Sequence, residues 1–278
     1  MRFDLCIAYR INAQNSKVKR PIFQSDKLNL SKLCLESFKR ALGNLKFKLI
    51  VIFDRCPSLY EDLFLQKFNK EDLEFIHIEK VMSKIYGNNA YTFLRQIDIL
   101  VNQTYSENVY FAEDDYLYIP NGIAILLEFL KKTKADFVTP YDHLDYYTLN
   151  LHNYKKEVIQ YGNYLWKSVG STCCTFLSTI KTLRETRHIL EKYKFISDAS
   201  MWFILTKKKK IFPFKFLRHN FLMWAFGCKQ LLFGKKYTLW APQPSIATHM
   251  VNKFLAPGVN WNNFIEKLLK EEINENRD

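Results

Sequence analysis

The sequence predicts an α/β protein in which a mixed sheet is flanked by helices, and two observations support this. Short apolar runs typical of buried strands alternate with apolar residues at the three-and-four spacing of helices through the first half of the chain. Of the 278 residues, 48% are hydrophobic and 16% are aromatic, which is typical of a folded globular protein. The alternation predicts that this half is Rossmann-like.

Each element of the first half has its own local signal. Apolar runs predict strands at Phe3–Ala8, Lys48–Phe53, Leu73–Ile78, Asn108–Ala112 and Asp136–Val138. Helical periodicity covers residues 30–42, 61–68, 90–100 and 123–130, and Gly43 ends the first of these helices.

The pattern changes after residue 145. Several short strands are predicted between 146 and 177, among them Val158–Tyr161. A helix follows at 182–193, another begins at Asp198, and an amphipathic helix covers the end of the chain. We therefore expect one continuous domain with a first half (1–145) and a second half (146–278).

Charge and cysteine content narrow the possible functions. Forty-one Lys and Arg against 28 Asp and Glu give a net charge of +13, which attracts nucleic acid, nucleotide diphosphates or an anionic membrane. The six cysteines show no metal-binding spacing, and they are expected to be reduced thiols. No signal-peptide pattern or membrane-spanning stretch is seen, so we expect a cytoplasmic protein.

Glu113, Asp114 and Asp115 directly follow the predicted strand at 108–112. Three neighbouring carboxylates repel one another, and a bound cation relieves this repulsion. Ligands of α/β sheets sit at the carboxyl ends of the strands, and hard carboxylate oxygens suit Mg²⁺ or Mn²⁺. The sequence therefore predicts a divalent metal site here, although a solvated acidic turn would show the same residues.

The order of elements resembles the GT-A fold of nucleotide-sugar glycosyltransferases, especially family-2-like enzymes with an acidic EDD form of the DxD motif. The resemblance covers roughly residues 3 to 120 and is a pattern of spacing. It consists of Ile7-Ala8-Tyr9-Arg10, Phe53-Asp54, the Gly87-Asn88-Asn89 helix with Arg95, and Phe111-Ala112-Glu113-Asp114-Asp115.

This resemblance implies a hexosyl- or N-acetylhexosaminyltransferase that uses Mn²⁺ or Mg²⁺ and a nucleotide-sugar donor, with UDP favoured over GDP. Residues 1–145 would bind the donor, and residues 146–278 would bind a glycan or lipid-linked glycan acceptor. Asp115 and Glu113 would be metal ligands. Donor contacts are implied for Tyr9, Arg10, Asp54 (to a pyrimidine N–H), Arg95 and Asp114 (to the ribose or a metal-bound water).

Two later residues complete the implied site. Asp198 matches the general base of inverting enzymes, which deprotonates the acceptor hydroxyl. Ser197 stands where the family-2 pattern has Glu, and Ser197-Asp198 is also a good helix N-cap. His249 matches the late histidine that binds the metal or a phosphate when a C-terminal loop closes, and an imidazole ligand favours Mn²⁺.

The basic aromatic segment Lys207–Lys236 permits peripheral contact with an anionic membrane, which would place the enzyme at the inner membrane face. An ordinary helix packed on the core is the other interpretation. A basic nucleic-acid- or polyanion-binding protein is the alternative function, but no nucleic-acid-binding motif is present, and we expect no nucleic-acid partner. A nucleotidyltransferase would need a Gly-rich loop after the first strand, and residues 9–16 contain no Gly.

Overall fold

The computed structural model describes residues 2–14, 18–78, 88–209 and 218–275, and within them it confirms the α/β architecture. The strands are β1 (Leu5–Asn12), β2 (Phe47–Asp54), β3 (Leu73–Ile78), β4 (Asn108–Glu113), β5 (Tyr116–Tyr118), β6 (Phe137–Val138), β7 (Val158–Tyr161), β8 (Tyr164–Ser168), β9 (Phe176–Thr179), β10 (Leu239–Gln243) and β11 (Ala247–His249). The helices are α1 (Lys27–Leu42), α2 (Leu59–Leu65), α3 (Asn88–Asn102), α4 (Gly122–Thr133), α5 (Asp145–Thr148), α6 (Ile180–Leu190), α7 (Asp198–Thr206), α8 (Arg218–Phe233) and α9 (Trp261–Glu275).

Nine of the described strands form one mixed sheet in the order β3-β2-β1-β4-β9-β6-β10-β8-β7. The first four are mutually parallel, and β9 runs antiparallel between β4 and β6. Parallel strands end at the same edge, so the carboxyl ends of β1, β2 and β4 lie side by side. Arg10 is opposite Glu113, and Asn12 is opposite Asp54.

Side chains of β1 alternate between the two faces of the sheet, as expected for a strand. Leu5, Ile7 and Tyr9 join a buried cluster with α1, α2, α4 and α9. Cys6 and Ala8 join a second cluster with α3, α6, α7 and α8. Because Arg10 follows Ala8 by two residues, its side chain belongs to the α3 face.

Helix α1 has well-defined ends, and the cap at its N-terminal end orients its first turn. The Asp26 side chain accepts a hydrogen bond from Asn29 N at 3.0 Å, which caps the helix. Gly43 follows the last residue with φ of 55°, a conformation that favours glycine. Lys27, the first helical residue, is buried and directed toward the edge of the sheet where β1 and β4 end.

The second half adds strands to the same sheet, together with the small β5–β11 pair. In that pair His249 lies opposite Tyr116. The division into halves at residue 145 stays a prediction, and the nine-stranded sheet combines strands from both sides of it.

Some sequence features fall partly outside the described residues. These are Gly87 of the Gly87-Asn88-Asn89 motif and residues 210–217 of the basic aromatic segment. Within the described part of the chain, no helix is both long and apolar enough to cross a membrane.

Candidate active site

A cleft of about 470 Å³ opens at the carboxyl ends of β1, β2 and β4. Six of the nine predicted site residues line it: Arg10, Asp54, Glu113, Asp114, Asp115 and His249. The sheet brings them together from positions up to 239 residues apart in the chain, as Arg10 and His249 are. Charged side chains of both signs make up much of the wall, so the cleft suits a ligand that is itself charged.

Glu113, at the end of β4, holds Arg10 in place. Its Oε1 pairs with Arg10 Nη2, and its Oε2 accepts a hydrogen bond from Thr175 Oγ1 at 2.8 Å. Arg10 also donates to Asn89 O at 2.9 Å and to Thr92 Oγ1 at 3.1 Å. Burial disfavours the guanidinium charge, but the Glu113 carboxylate outweighs it and raises the pKa of Arg10. Both Glu113 oxygens are therefore engaged with protein groups.

Asp114 is turned toward α1. Its Oδ2 lies 2.7 Å from Lys27 Nζ and accepts longer hydrogen bonds from Asn12 N at 3.3 Å and Ser31 Oγ at 3.5 Å. Burial raises the pKa of Asp114, and the neighbouring Asp115 adds to this, while Lys27 acts against it. Lys27 is the first residue of α1, so the Asp26 cap that fixes the start of this helix also positions the cation that holds the Asp114 carboxylate.

Asp115 differs from the other two acids because its partner is a titratable imidazole. His249 Nε2 lies 3.1 Å from Asp115 Oδ2, and the ring stacks on Tyr116 with centroids 5.1 Å apart. Met250 N also donates to Asp115 O at 2.8 Å, which holds the end of β11 against this turn. Burial opposes the charge on Asp115, but His249 outweighs it and holds the pKa of the carboxyl well below its usual range. Burial lowers the pKa of His249, but Asp115 outweighs it, so the pKa of the imidazole is raised.

Asp54, at the end of β2, is 1% exposed and has partners on both oxygens. Arg55 Nε donates to Oδ1 at 3.1 Å, and Asn12 Nδ2 donates to Oδ2 at 2.7 Å. Arg55 adopts φ of 58°, an unusual conformation for a non-glycine residue, and this turns its guanidinium back over Asp54. Asp54 is therefore largely covered, and a ligand in the cleft would meet mainly the side chains of Arg55 and Asn12 at the end of β2.

Two residues with implied donor contacts lie elsewhere. Tyr9 is 1% exposed and packs edge-on against Phe38 and Phe64, with centroid distances of 5.1 and 5.4 Å. Arg95 is half-buried on α3, and it is not among the residues that line the cleft. Donor contacts by these two side chains stay predictions.

Asp198 lines a smaller neighbouring cavity of about 80 Å³, together with His143 and Cys173. Ser197 caps α7 by accepting from Ser200 N at 3.2 Å, and Ala199 N donates to Asp198 Oδ1 at 2.7 Å. Burial raises the pKa of Asp198, although the Ala199 bond acts against this. Ser197 is therefore the residue that caps α7. The carboxylate of Asp198 is partly buried and does not serve as the cap.

Phe254 lies between the two cavities. It lines the cleft, and its ring lies 5.7 Å from the His143 ring of the smaller cavity. Its carbonyl accepts a hydrogen bond from Tyr141 Oη, which fixes the segment that follows β11. A ligand that reached from one cavity into the other would pass this aromatic side chain.

The donor set can be tested for its fit to a divalent ion. Among the described residues, no group of three or more His, Cys, Asp or Glu side chains is placed to hold a metal. Glu113 and Asp114 pair with Arg10 and Lys27, whereas Asp115 and His249 pair with each other. This last pair can act as an oxygen and a nitrogen donor once the imidazole nitrogen has given up its proton to make room for the ion. Mn²⁺ and Mg²⁺ can be held by few protein ligands when phosphate oxygens fill the other positions, so this pair fits such an ion.

Several cleft residues were not singled out from the sequence. They are Ile11, Asn12, Gln14, Val18, Arg20, Lys27, Arg55, Thr92, Val251 and Phe254. The basic composition of residues 10–27 was the available signal for Arg20 and Lys27. The others have no local pattern, because their roles depend on contacts between distant segments.

Comparison with protein-family models gives no match, and comparison with curated proteins gives none. Solved structures with a similar chain course include 4-diphosphocytidyl-2C-methyl-D-erythritol synthase from Anaerococcus prevotii, at 12% identity over 74% of this chain and 84% of that one, with a TM-score of 0.43. S. aureus TarS matches at 12% identity over 73% of this chain and 34% of that one, with a TM-score of 0.47. The galactosyltransferase LgtC matches at 10% identity over 80% and 70%, with a TM-score of 0.42.

Proposed function

We propose that this chain is a metal-dependent glycosyltransferase that moves a sugar from a nucleotide-sugar donor to a glycan or lipid-linked glycan acceptor. The observation that carries the proposal is the Asp115–His249 pair, set in a cleft that also contains Arg10, Lys27 and Arg55. This arrangement has both groups that a diphosphate needs, namely a pair of metal ligands and fixed cations.

The charge balance of the cleft supports a metal requirement. Arg10, Lys27 and Arg55 each already face a carboxylate, at Glu113, Asp114 and Asp54 respectively. A diphosphate would bring further negative charge beside those carboxylates. A divalent ion between Asp115, His249 and the phosphate oxygens would offset it, and it would stabilise the leaving nucleoside diphosphate when the sugar is transferred.

The base of the donor would lie near the end of β2. Asp54 keeps Arg55 and Asn12 oriented there, and these two side chains offer N–H donors to a base or its ribose. A carboxylate has about four acceptor positions, so Asp54 can accept a bond from a pyrimidine N–H in addition to those from Arg55 and Asn12 if the base reaches this nearly buried group. The preference for UDP over GDP remains part of the proposal.

Asp198 is proposed as the general base of an inverting transfer. Burial raises the pKa of its carboxyl, which makes it a better proton acceptor than an exposed aspartate. Its cavity lies beside the donor cleft, with Phe254 between them, so an acceptor hydroxyl in that cavity would lie next to the donor site. Retention of the donor's anomeric configuration in the product would rule out this role.

The alternative of a polyanion-binding protein is less well supported. A nucleic acid would meet the carboxylates of Glu113, Asp114 and Asp115 in the cleft, and these repel phosphate unless a metal intervenes. Exposed basic residues remain available for such binding outside the cleft.

The proposal is tested by incubating the protein with a panel of nucleotide sugars and Mn²⁺ and measuring the released nucleoside diphosphate. We expect release from one donor class, its loss with EDTA, and its loss in Asp115→Asn. Asp62→Asn, which changes an exposed aspartate of α2, is the matched control and should keep full activity. Pyrophosphate release from a nucleoside triphosphate and a sugar phosphate would instead identify a nucleotidyltransferase. Tight binding of oligonucleotides with no product from any donor would favour the polyanion-binding alternative.

A further inference from the structure

Helix α8 carries large apolar side chains on the surface of the protein. Phe221 is 66% exposed and Leu232 is 58% exposed, and Ala225 and Cys228 lie between them on the same exposed side of the helix. Phe233, at the end of the helix, is 85% exposed. The spacing of four, three and four residues from Phe221 to Leu232 is that of one helical stripe.

Phe195 lies beside this stripe, on the flank of α8 that carries Phe226. Its ring is 53% exposed and stacks on Phe226 with centroids 5.1 Å apart and ring planes 5° apart. We call Phe195, Phe221, Leu232 and Phe233 the α8 apolar surface.

The core does not need this surface, because α8 packs through its other side. Met223, Gly227 and Gln230 are buried or nearly so on that side. A Cβ on Gly227 would lie 2.8 Å from the Ile204 side chain, so α8 is closely docked on α7. Exposed apolar area costs about 25 cal/mol per Å² relative to burial. A concentration of it beside a packed helix is typical of an interaction site.

The charges around the α8 apolar surface select the kind of partner. Of the side chains that the structure describes on α8, Lys229 carries the one charge, and it is exposed. Lys236 follows the helix and is exposed, and Lys194 Nζ lies 4.9 Å from the centre of the Phe195 ring. Exposed phenylalanines bordered by lysines match a bilayer interface with anionic headgroups, where aromatic rings enter the apolar boundary and lysines meet the phosphates.

We propose that the α8 apolar surface docks the protein onto an anionic membrane. Phe195 of this surface precedes Asp198 of the smaller cavity by three residues in the chain. If the proposed function is correct, a lipid-linked acceptor would reach Asp198 from the membrane side. The docking itself does not depend on the glycosyltransferase proposal.

Tryptophan fluorescence gives a direct readout of this docking. Trp224 is a half-buried residue of α8, whereas the other tryptophans are 8% exposed or less. These others are Trp166, Trp202, Trp240 and Trp261. In the experiment, the full chain is mixed with vesicles of brominated phosphatidylglycerol and phosphatidylcholine in equal parts, or with brominated phosphatidylcholine alone. We expect quenching with the anionic vesicles, little quenching with the neutral ones, and loss of this difference in Trp224→Phe.

Vesicle flotation of variants then locates the contact. Phe221→Ser with Phe233→Ser should weaken binding at least tenfold. Lys229→Gln with Lys236→Gln should weaken it about 25-fold at low salt, because each lysine near an anionic surface contributes about fivefold. Leu59→Ser, which removes a 51% exposed leucine of α2, is the matched control and should bind as the unaltered chain does.

Other outcomes overturn the proposal. Equal binding by the Phe221 and Phe233 double variant, with an unchanged thermal unfolding midpoint, would show that α8 does not contact lipid. Concentration-dependent dimers that this double variant abolishes, with no vesicle binding by the unaltered chain, would show that a second copy covers the surface. Nucleotide binding measured by calorimetry without lipid should not change in these variants. Its absence in the unaltered chain would contradict the proposed function and leave the docking result standing.

Discussion

The three adjacent acids Glu113, Asp114 and Asp115 are expected to have separable roles, and Glu113→Gln tests this most sharply. In Glu113→Gln the neutral amide can still meet Thr175, but Arg10 loses its buried carboxylate partner. The side chains of this ion pair are 7% and 18% exposed, so little water can replace the lost charge. Removal of one partner of a buried ion pair costs about 3–5 kcal/mol.

The lower end of that range applies here, because Arg10 keeps its bonds to Asn89 O and Thr92 Oγ1. We therefore expect a loss of about 3 kcal/mol in the free energy of unfolding, which lowers the melting temperature by roughly 6–10 °C. Asp115→Asn is the comparison, because its pair with His249 is 22–25% exposed. That variant should lose only about 1 kcal/mol, but it should also lose Mn²⁺-dependent binding of nucleoside diphosphates.

Urea unfolding and calorimetry on both variants provide the assay, with Asp62→Asn as control. An unfolding free energy for Glu113→Gln within about 1 kcal/mol of the unaltered chain would refute the structural role of Glu113. Retained metal-dependent binding in Asp115→Asn, together with its loss in Glu113→Gln, would reverse the assignment of the metal ligand.

Three further predictions follow from other contacts. Lys27→Met leaves the buried Asp114 carboxylate without its cation, so it should destabilise the fold by about 3 kcal/mol at neutral pH. Burial raises the pKa of Asp114, so its protonation as the pH is lowered should reduce this loss; a loss in urea unfolding that does not change with pH would contradict this. Burial lowers the pKa of His152 to about 4, whereas the pKa in the unfolded chain is near 6.5. Between these two pH values the unfolded chain binds one proton more than the folded chain, so the free energy of unfolding should fall as the pH is lowered from about 6.5 to about 4. His152→Gln should remove this part of the loss when unfolding is measured over the same pH range. Gly227→Ala places a methyl group 2.8 Å from the Ile204 side chain, which is too close for the present packing of α8 on α7. The free energy of unfolding should therefore fall by about 1–3 kcal/mol. A rise in the melting temperature would show that α8 is not closely docked on α7.

Much of the fold could be predicted from local pattern. The strands at Leu73–Ile78 and Val158–Tyr161 have the predicted bounds, and α1 ends before Gly43 as expected. These segments carry their signal within a few residues, as apolar runs, helical periodicity or a glycine. The strands β5, β10 and β11 were not predicted. Two of them have three residues each, too few for a periodicity, and β10 contains Pro242, which argues against a strand in sequence terms.

The site could be predicted only in part, for a related reason. The acidic row was visible because its members are adjacent in the chain. Arg10 and His249 were expected at the site from the resemblance, but their pairing with Glu113 and Asp115 was not, and Lys27 was not expected at all. These residues come from distant segments that the sheet brings together. The burial of Tyr9 follows from strand alternation, which places it with Ile7 and opposite to Arg10.

In the proposed function, a divalent ion bound by Asp115 and His249 lets the cleft hold a nucleoside diphosphate. The most direct measurement is calorimetric titration of the full chain with UDP and GDP, each with Mn²⁺ and with EDTA. The proposal predicts binding of one of these nucleotides with Mn²⁺, at least tenfold weaker binding with EDTA, and equally weak binding by Asp115→Asn under both conditions. Binding of equal strength with Mn²⁺ and with EDTA, or the same affinity in Asp115→Asn, would contradict it.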